Sequence, residues 1–486
     1  MPNRPRTWGC IRMNKLSLTA LACASALSAC SLMPVYERPA LPVVNQWPGT
    51  AAVSTTHIDS VKMNTDMGWR HFFSDKTLQE LITRALEHNR DLRIAVLTIE
   101  QARAQLGIRQ ADRFPTVNAA MAGSRAPTSS GGISTSYSAG LTVTAYELDF
   151  FGRVASLREQ ALAQFLATAE ASQTAHVSLI SAVAQSWLSL LADEELLATS
   201  QQTLASREAS LQLTELKLRH GAASELDLRL AQSLRESARV TLAQQAQKRA
   251  LDENTLTLLV GQALPASALA QLANRQTVPP ALTELEPGLP SDLLTRRPDI
   301  RQAEQLLIAS NANIGAARAA FFPRISLTAS AGSASSELSG LFGNGSWGWT
   351  LAPQLVLPVF DMGRNQANLD ATHASQKIAV AQYEKAIQTA FREVADTLAS
   401  RTTLGQQLQA QTALLHAETE RSRLTRLRFD NGAASQLDWL DAQRSLFASQ
   451  QALVQTRLAY QQNQVLMFKV LGGAPSVPSV PPVPPR

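Results

Sequence analysis

"HGAASELD" (His220–Asp227) and "NGAASQLD" (Asn431–Asp438) are one phrase written twice in the same chain. A glycine readily takes the left-handed conformation that ends a helix. A following serine can cap the next helix, and an aspartate three positions later suits the positive end of that helix. Each phrase therefore predicts a tight turn between two helices. The turns are built from His220, Gly221, Ala222, Ala223 and Ser224, and from Asn431, Gly432, Ala433, Ala434 and Ser435.

The repetition extends outward from the phrase. Gly432 lies 211 positions after Gly221, and the same shift superimposes Leu216 on Leu427, Asp227 on Asp438 and Gly152-Arg153 on Gly363-Arg364. Upstream, Pro115 matches Pro323 at a shift of 208, and the three extra residues fall in a Gly/Ser-rich stretch that a loop can absorb. Landmarks kept in one order through both halves imply a duplicated fold.

Each half has one layout. A helical segment (Leu78–Arg113, Asp292–Phe321) ends at a proline, which lacks the N–H a helix needs. Two-residue alternation follows. "ISLTASAGS" places Ile325, Leu327, Ala329 and Ala331 on one face, and "WGWTLAPQLVLPV" does the same with Trp347, Trp349, Leu351, Leu355 and Leu357. "TVNAAMAGS" and "LTVTAYELD" are weaker copies, so four strands are expected. Pro-free helices then run over Arg153–Arg219 and Arg364–Asp430, each roughly 100 Å at the helical rise. Ile387, Phe391, Val394 and Leu398 step by four, three and four, as do Ile180, Val183 and Trp187 in part, which is coiled-coil spacing. Return helices reach Gly261 and Gly472.

The N-terminus reads as a targeting signal. Lys15 precedes the 14-residue apolar run Leu16–Ala29, too short to span a bilayer comfortably. It ends in Leu27-Ser28-Ala29-Cys30, the pattern of a lipobox whose cysteine is lipidated and becomes residue one of the mature chain. Cys10 and Cys23 would be removed with the signal, leaving no disulfide or thiolate metal site. The net charge of +5 falls to +1 once Arg4, Arg6, Arg12 and Lys15 are removed, so no basic surface for nucleic acid remains. The expected organisation is a signal peptide (1–29), a lipidated extended segment (30–70), a first repeat (71–261), an irregular linker (262–291), a second repeat (292–473) and an extended Pro-rich tail (474–486).

Four strands with one apolar face suggest a membrane β-barrel. Lipid cannot satisfy open sheet edges, and known single-chain barrels begin at about eight strands, so copies must combine. Trp347, Trp349, Phe114, Phe150 and Phe151 lie near strand ends, where an aromatic girdle belongs.

"WRHFFSDKTLQELITRALEHNRDLRIA", "YELDFFGR", "LTRRPDIRQAE", "AARAAFFPRISL", "NGAASQLDWLDAQRSLFASQQALVQ" and "VLGG" resemble the TolC-like outer membrane factors, and more narrowly the NodT/efflux-lipoprotein branch. The resemblance spans Cys30 to Gly473. It implies a mainly α fold with membrane β: a homotrimer whose subunits each give four strands to a twelve-stranded barrel in outer membrane lipid, with long helices forming a periplasmic α-barrel. It also implies a passive exit duct for small toxic molecules, reached through a periplasmic adaptor from an RND-type inner membrane transporter. No cofactor is implied.

By the same resemblance the two turns form the tip that meets the adaptor. The family commonly constricts the periplasmic end with acidic rings just before the second tip. Here that stretch reads "RSRLTRLRFDNG", with Arg421, Arg423, Arg426, Arg428 and one acid, Asp430. Arg423 and Arg426 share a helix face. Glu215, the first-half counterpart of Arg426, and Asp430 are the expected carboxylate partners of an arginine-lined aperture.

Other classes fit less well. The histidines (His57, His71, His88, His176, His220, His373, His416) show no metalloprotease spacing, and "FGNGSWG" lacks the lysine of a phosphate loop, so enzymatic activity is not expected. A type I secretion duct and a non-channel coiled-coil lipoprotein remain the alternatives; ion conductance separates the second from a channel.

Overall fold

The computed structural model describes residues 32–43, 68–129, 131–274, 282–283 and 293–473. Cys30, the signal segment and the Pro-rich tail lie outside the described residues. The elements are α1 (Trp69–Phe72), α2 (Lys76–His88), α3 (Arg90–Ala111), β1 (Val117–Pro127), β2 (Ile133–Leu148), α4 (Arg153–Arg219), α5 (Glu225–Val260), α6 (Ala266–Ala273), α7 (Leu293–Arg296), α8 (Pro298–Ala319), β3 (Arg324–Ser335), β4 (Trp347–Val356), α9 (Arg364–Asp430) and α10 (Gln436–Val470). Every first-half element from α3 onward has a second-half counterpart at the expected shift, apart from α6. The chain divides into two compact units, each drawn from both repeats.

The helical unit comprises residues 41–99, 169–302 and 384–486. Its core gathers Leu78, Leu81, Ile82 and Ala85 of α2, Ile180, Val183, Trp187 and Leu190 of α4, Leu256 and Val260 of α5, and Val465 and Phe468 of α10. Ile180, Val183 and Trp187 are buried at the expected period, as are Ile387 and Val394. Asp75 caps α2 through the Thr77 amide at 2.9 Å, and its other oxygen accepts the Trp187 indole N–H at 3.3 Å. One aspartate thus starts a helix and satisfies a buried donor.

Two sequence expectations are corrected here. The segment Leu78–Arg113 is not one helix: the chain is extended at Asn89, which separates α2 from α3, and α3 ends at Ala111. Its second-half equivalent breaks at Arg297, because Pro298 begins α8 and disfavours a helical residue before it. Both breaks are anchored alike. Asn89 Nδ2 donates to the Leu259 carbonyl at 2.9 Å, and Arg297 Nη1 donates to the Val470 carbonyl at 3.1 Å while binding Asp299 and Glu393. Short helices α1 and α6 also lie in stretches expected to be irregular. Both contribute to the core, through Trp69 and Phe72 and through Ala268 and Leu272.

Among the described residues, the sheet unit comprises 32–40, 100–168 and 303–383. Its four strands are antiparallel in the order β1-β2-β3-β4, with β1 and β4 at open edges. Register aligns the apolar side chains across all four strands: Ala119 opposite Leu141, Leu141 opposite Ala331, and Ala331 opposite Trp349. The other face carries small and polar residues, where Ser124 bonds Ser136 and Ser330 bonds Thr350. A bulge in β2 sets two residues against Thr328, with Ala145 at φ 50°. The bulge preserves the facing on both sides, Val143 against Ala329 and Tyr146 against Leu327.

Candidate functional site

Three features place chemistry on this fold: the helix turns, the segment behind Cys30 and the open sheet.

At the turns, Gly221 and Gly432 adopt φ of 70° and 73°. The Ala222 amide donates to the Lys217 carbonyl at 2.8 Å and that of Gly221 to Leu218 at 3.0 Å. The Ala433 and Gly432 amides repeat the pair on Arg428 and Phe429. This pair of hydrogen bonds closes a helix on a left-handed residue. The return helices start with full capping boxes, Ser224 with Asp227 and Ser435 with Asp438. The Ser224 and Ser435 hydroxyls, and then their amides, hold the aspartates below the usual carboxylate range. The aspartates were expected only as favourable charges; their oxygens also accept the capping amides, at 2.9 and 3.0 Å.

The two turns are brought together. Gln436 bonds Thr214, Arg207 donates to Gln443 Oε1 at 2.8 Å, and Lys217 Nζ lies 4.5 Å above the Phe429 ring. Phe429 stacks on Trp439 with centroids 5.0 Å apart. The first-half counterparts of these rings are Leu218 and Leu228, so only the second turn carries an aromatic pair. Ala222 and Ala433 are exposed, whereas Ala223 and Ala434 are half-buried.

Of the two acids expected to partner these arginines, Asp430 does so and Glu215 is replaced by neighbours on α9. Arg426 Nε lies 3.8 Å from Asp430, and Arg423 pairs with Glu420 at 2.6 Å. Arg421 bridges Glu418 at 3.1 Å and Asp441 of α10 at 2.7 Å. Among the described residues no ion pair joins Glu215 to either Arg423 or Arg426. Glu418 and Glu420 lie just upstream of the stretch singled out from sequence, and the i,i+3 spacing of charges on a helix was the signal that could have found them. Arg421, Arg423 and Arg426 therefore each have an acid from their own chain, and Arg428 donates to the Ala433 carbonyl at 3.1 Å.

Behind Cys30, residues 32–38 lie along α8. Arg318 Nη1 donates to the Leu32 carbonyl at 3.4 Å and Asn311 Nδ2 to Pro34 at 2.8 Å. Arg38 grips Glu304 with two bonds at 2.7 and 2.8 Å, and the Tyr36 hydroxyl donates to the same carboxylate at 3.2 Å. Burial, then the Glu304 charge, pushes the Tyr36 phenol up to about 12. Residues 304, 311 and 318 recur every two helical turns, so they form a single stripe. The upstream end of the strap lies at Arg318, one residue from the end of α8 and six from the start of β3.

On the sheet, the apolar face is open. Trp347 is 70% exposed, Trp349 67% and Met121 69%. Aromatics stand at both ends of the strands: Trp347 and Trp349 at one, Phe114 and Phe150 at the other. At the second end Glu147 binds Arg153 and Arg324, both at 2.7 Å.

Comparison with known proteins bears on all three features. Residues 81–262 and 289–473 match the outer membrane efflux protein family. The chain is 45% identical over 468 residues to the toluene efflux pump outer membrane protein TtgC of Pseudomonas putida, covering 95% of this chain and 96% of that protein. It is 43% identical over 470 residues to outer membrane protein OprJ of Pseudomonas aeruginosa, covering 95% and 97%. The crystal structure of the open state of the Neisseria gonorrhoeae MtrE outer membrane channel superimposes with a TM-score of 0.81 at 38% identity, covering 92% of this chain and 98% of that one.

Proposed function

This chain belongs to the outer membrane efflux protein family, and from that membership and its open sheet we infer that three copies close into one channel fed by a periplasmic adaptor. The protein is an outer membrane channel component of a tripartite efflux system. The observation that carries the closure is the four-stranded sheet with two unpaired edges and an exposed apolar face. In lipid every backbone group must be satisfied, so the edges have to pair with other copies. Three copies give twelve strands, an even number above the minimum of about eight.

The tip turns are the adaptor contact in this reading. Their exposed small residues let another helical hairpin approach, and their capping boxes make them rigid. In this reading an RND-type transporter behind the adaptor supplies the energy. One relative is named for toluene efflux, which favours small apolar toxic molecules as cargo. Lipidation of Cys30 fits the strap, whose upstream end stands close to the sheet end of α8 and so points the anchor toward the membrane. One acyl chain alone binds only marginally, so barrel and lipid act together.

The test is reconstitution of the purified protein into planar bilayers, with deletion and complementation of toluene tolerance in the source cells. Stepwise conductance together with restored tolerance is the expected result. A protein that sediments with outer membranes yet conducts nothing and restores nothing is a structural lipoprotein instead.

A further inference from the structure

Within one chain the β2–β3 seam is sealed just outside the strands. Leu148 stands opposite Ile325, and three residues beyond each, Phe151 stacks on Phe322 with centroids 4.8 Å apart at 22°. The duplication maps this seam onto the two open edges. Gly152 and Gly363 are equivalent and both left-handed, at φ 72° and 82°, so Phe151 corresponds to Met362. Pro115 and Pro323 are equivalent, so Phe322 corresponds to Phe114.

Met362 and Phe114 flank opposite edges of their own sheet, and they are 85% and 67% exposed. Met362 also sits at φ 56°, a region that side chains other than glycine rarely occupy. Such strain persists where surrounding structure enforces it and often marks a contact site. Phe360 and Val359, beside it, are exposed as well.

We propose that Met362 of one subunit seats on Phe114 of the next, with Val359 opposite Val117, so that each joint between subunits repeats the β2–β3 seam inside a subunit. This rests on the closure inferred above. The strand directions agree: β4 beside β1 of another copy is antiparallel, as β2 is beside β3. The positions agree too. Val359 lies three residues past β4 at the position equivalent to Leu148, and Val117 shares a face with Ala119 and Leu141. Thioether sulfur against an aromatic ring is a favourable contact in its own right.

The two kinds of seam differ in one respect. Glu147, Arg153 and Arg324 brace the seam inside the chain, and their counterparts are Pro358, Arg364 and Thr116. Beyond the backbone pairing of the strand edges, the joint between subunits therefore has no carboxylate in these positions to brace it.

The experiment combines Phe114→Cys with Met362→Cys in the full-length lipoprotein and treats membranes with a short bismaleimide. Most of the protein is expected to run as a covalent oligomer on denaturing gels. Either single variant should run as monomer, which removes Cys30 as the source of linkage. Phe151→Cys with Phe322→Cys should link within the chain and also run as monomer. Trimers of native mass that remain unlinked overturn the Met362–Phe114 seat and leave closure standing. Absence of any oligomer overturns both. As a second arm, Met362→Phe should keep the trimer resistant to SDS and Met362→Asp should lose that resistance; equal resistance of the two overturns the seat.

Discussion

Asp193 of α4 is a buried acid paired with Lys248 Nζ at 2.6 Å and set beside the Asp252 carboxyl. Burial, and next the adjacent Asp252 carboxyl, raise it to about 6. The other charges around it are already matched: Arg249 with Glu194 and Glu253, and Arg457 of α10 with Glu195. An acid raised in the fold holds its proton there after the unfolded chain has lost it, between roughly pH 4 and 6. Stability contributed by protonated Asp193 is therefore full below that window and is lost as pH rises through it. Asp227 and Asp438, held low by their serines, act in the opposite sense below the ordinary carboxylate range. Thermal melting of the helical signal should thus fall from pH 4 to pH 6 in the parent. In Asp193→Asn that slope should be flattened; an unchanged slope would assign it to other groups.

At the scale of elements, two pairs of glycines end helices for different reasons. Gly221 and Gly432 need only the left-handed backbone, since nothing lies within 4 Å of an added methyl. Gly261 has φ 78°, and a methyl there would lie 2.5 Å from the His88 carbonyl oxygen; at Gly472 the equivalent distance to Arg296 is 3.0 Å. Gly221→Ala should cost about 1–2 kcal/mol, the left-handed penalty alone. Gly261→Ala should cost more, because the α2–α3 break must also move, and urea denaturation of the detergent-solubilised protein would rank the two. The turns themselves make a second expectation. If the tips meet the adaptor as proposed, Trp at the exposed Ala222 and Ala433 should abolish efflux while trimers persist, because the caps stay intact. Normal toluene tolerance in that double variant would remove the tips from the interface.

For the whole molecule, the arginine ladder before the second tip sets the charge at the channel mouth only if it faces inward. Because Glu420 and Asp430 accompany Arg423 and Arg426, the local field is close to balanced rather than strongly positive. Arg423→Ala with Arg426→Ala should unmask those carboxylates and shift a bilayer reversal potential toward cation preference, more at low salt than at high. A reversal potential that does not move would place these arginines on the outer face.

The sequence alone carried the duplication, the ends of both long helices, both capped turns and the four alternating strands. All of these are written in local chemistry: a left-handed glycine, a serine cap, a proline stop, a period of two or of 3.6. The apolar alternation also implied the open sheet, because parity along a strand decides its face. What the tertiary structure decided was pairing across the chain. The Asn89 break is anchored by the distant Leu259 carbonyl of α5, which no local period records, whereas the Arg297 break is set locally by Pro298 and only tied down by the Val470 carbonyl of α10. The β2 bulge is needed only to keep β2 in step with β3. The strap on α8 follows from Glu304, Asn311 and Arg318 meeting a segment more than 260 positions away. Asp430 beside Arg426 was legible in the sequence, whereas the choice of Glu420 for Arg423 is settled only when side chains occupy real positions.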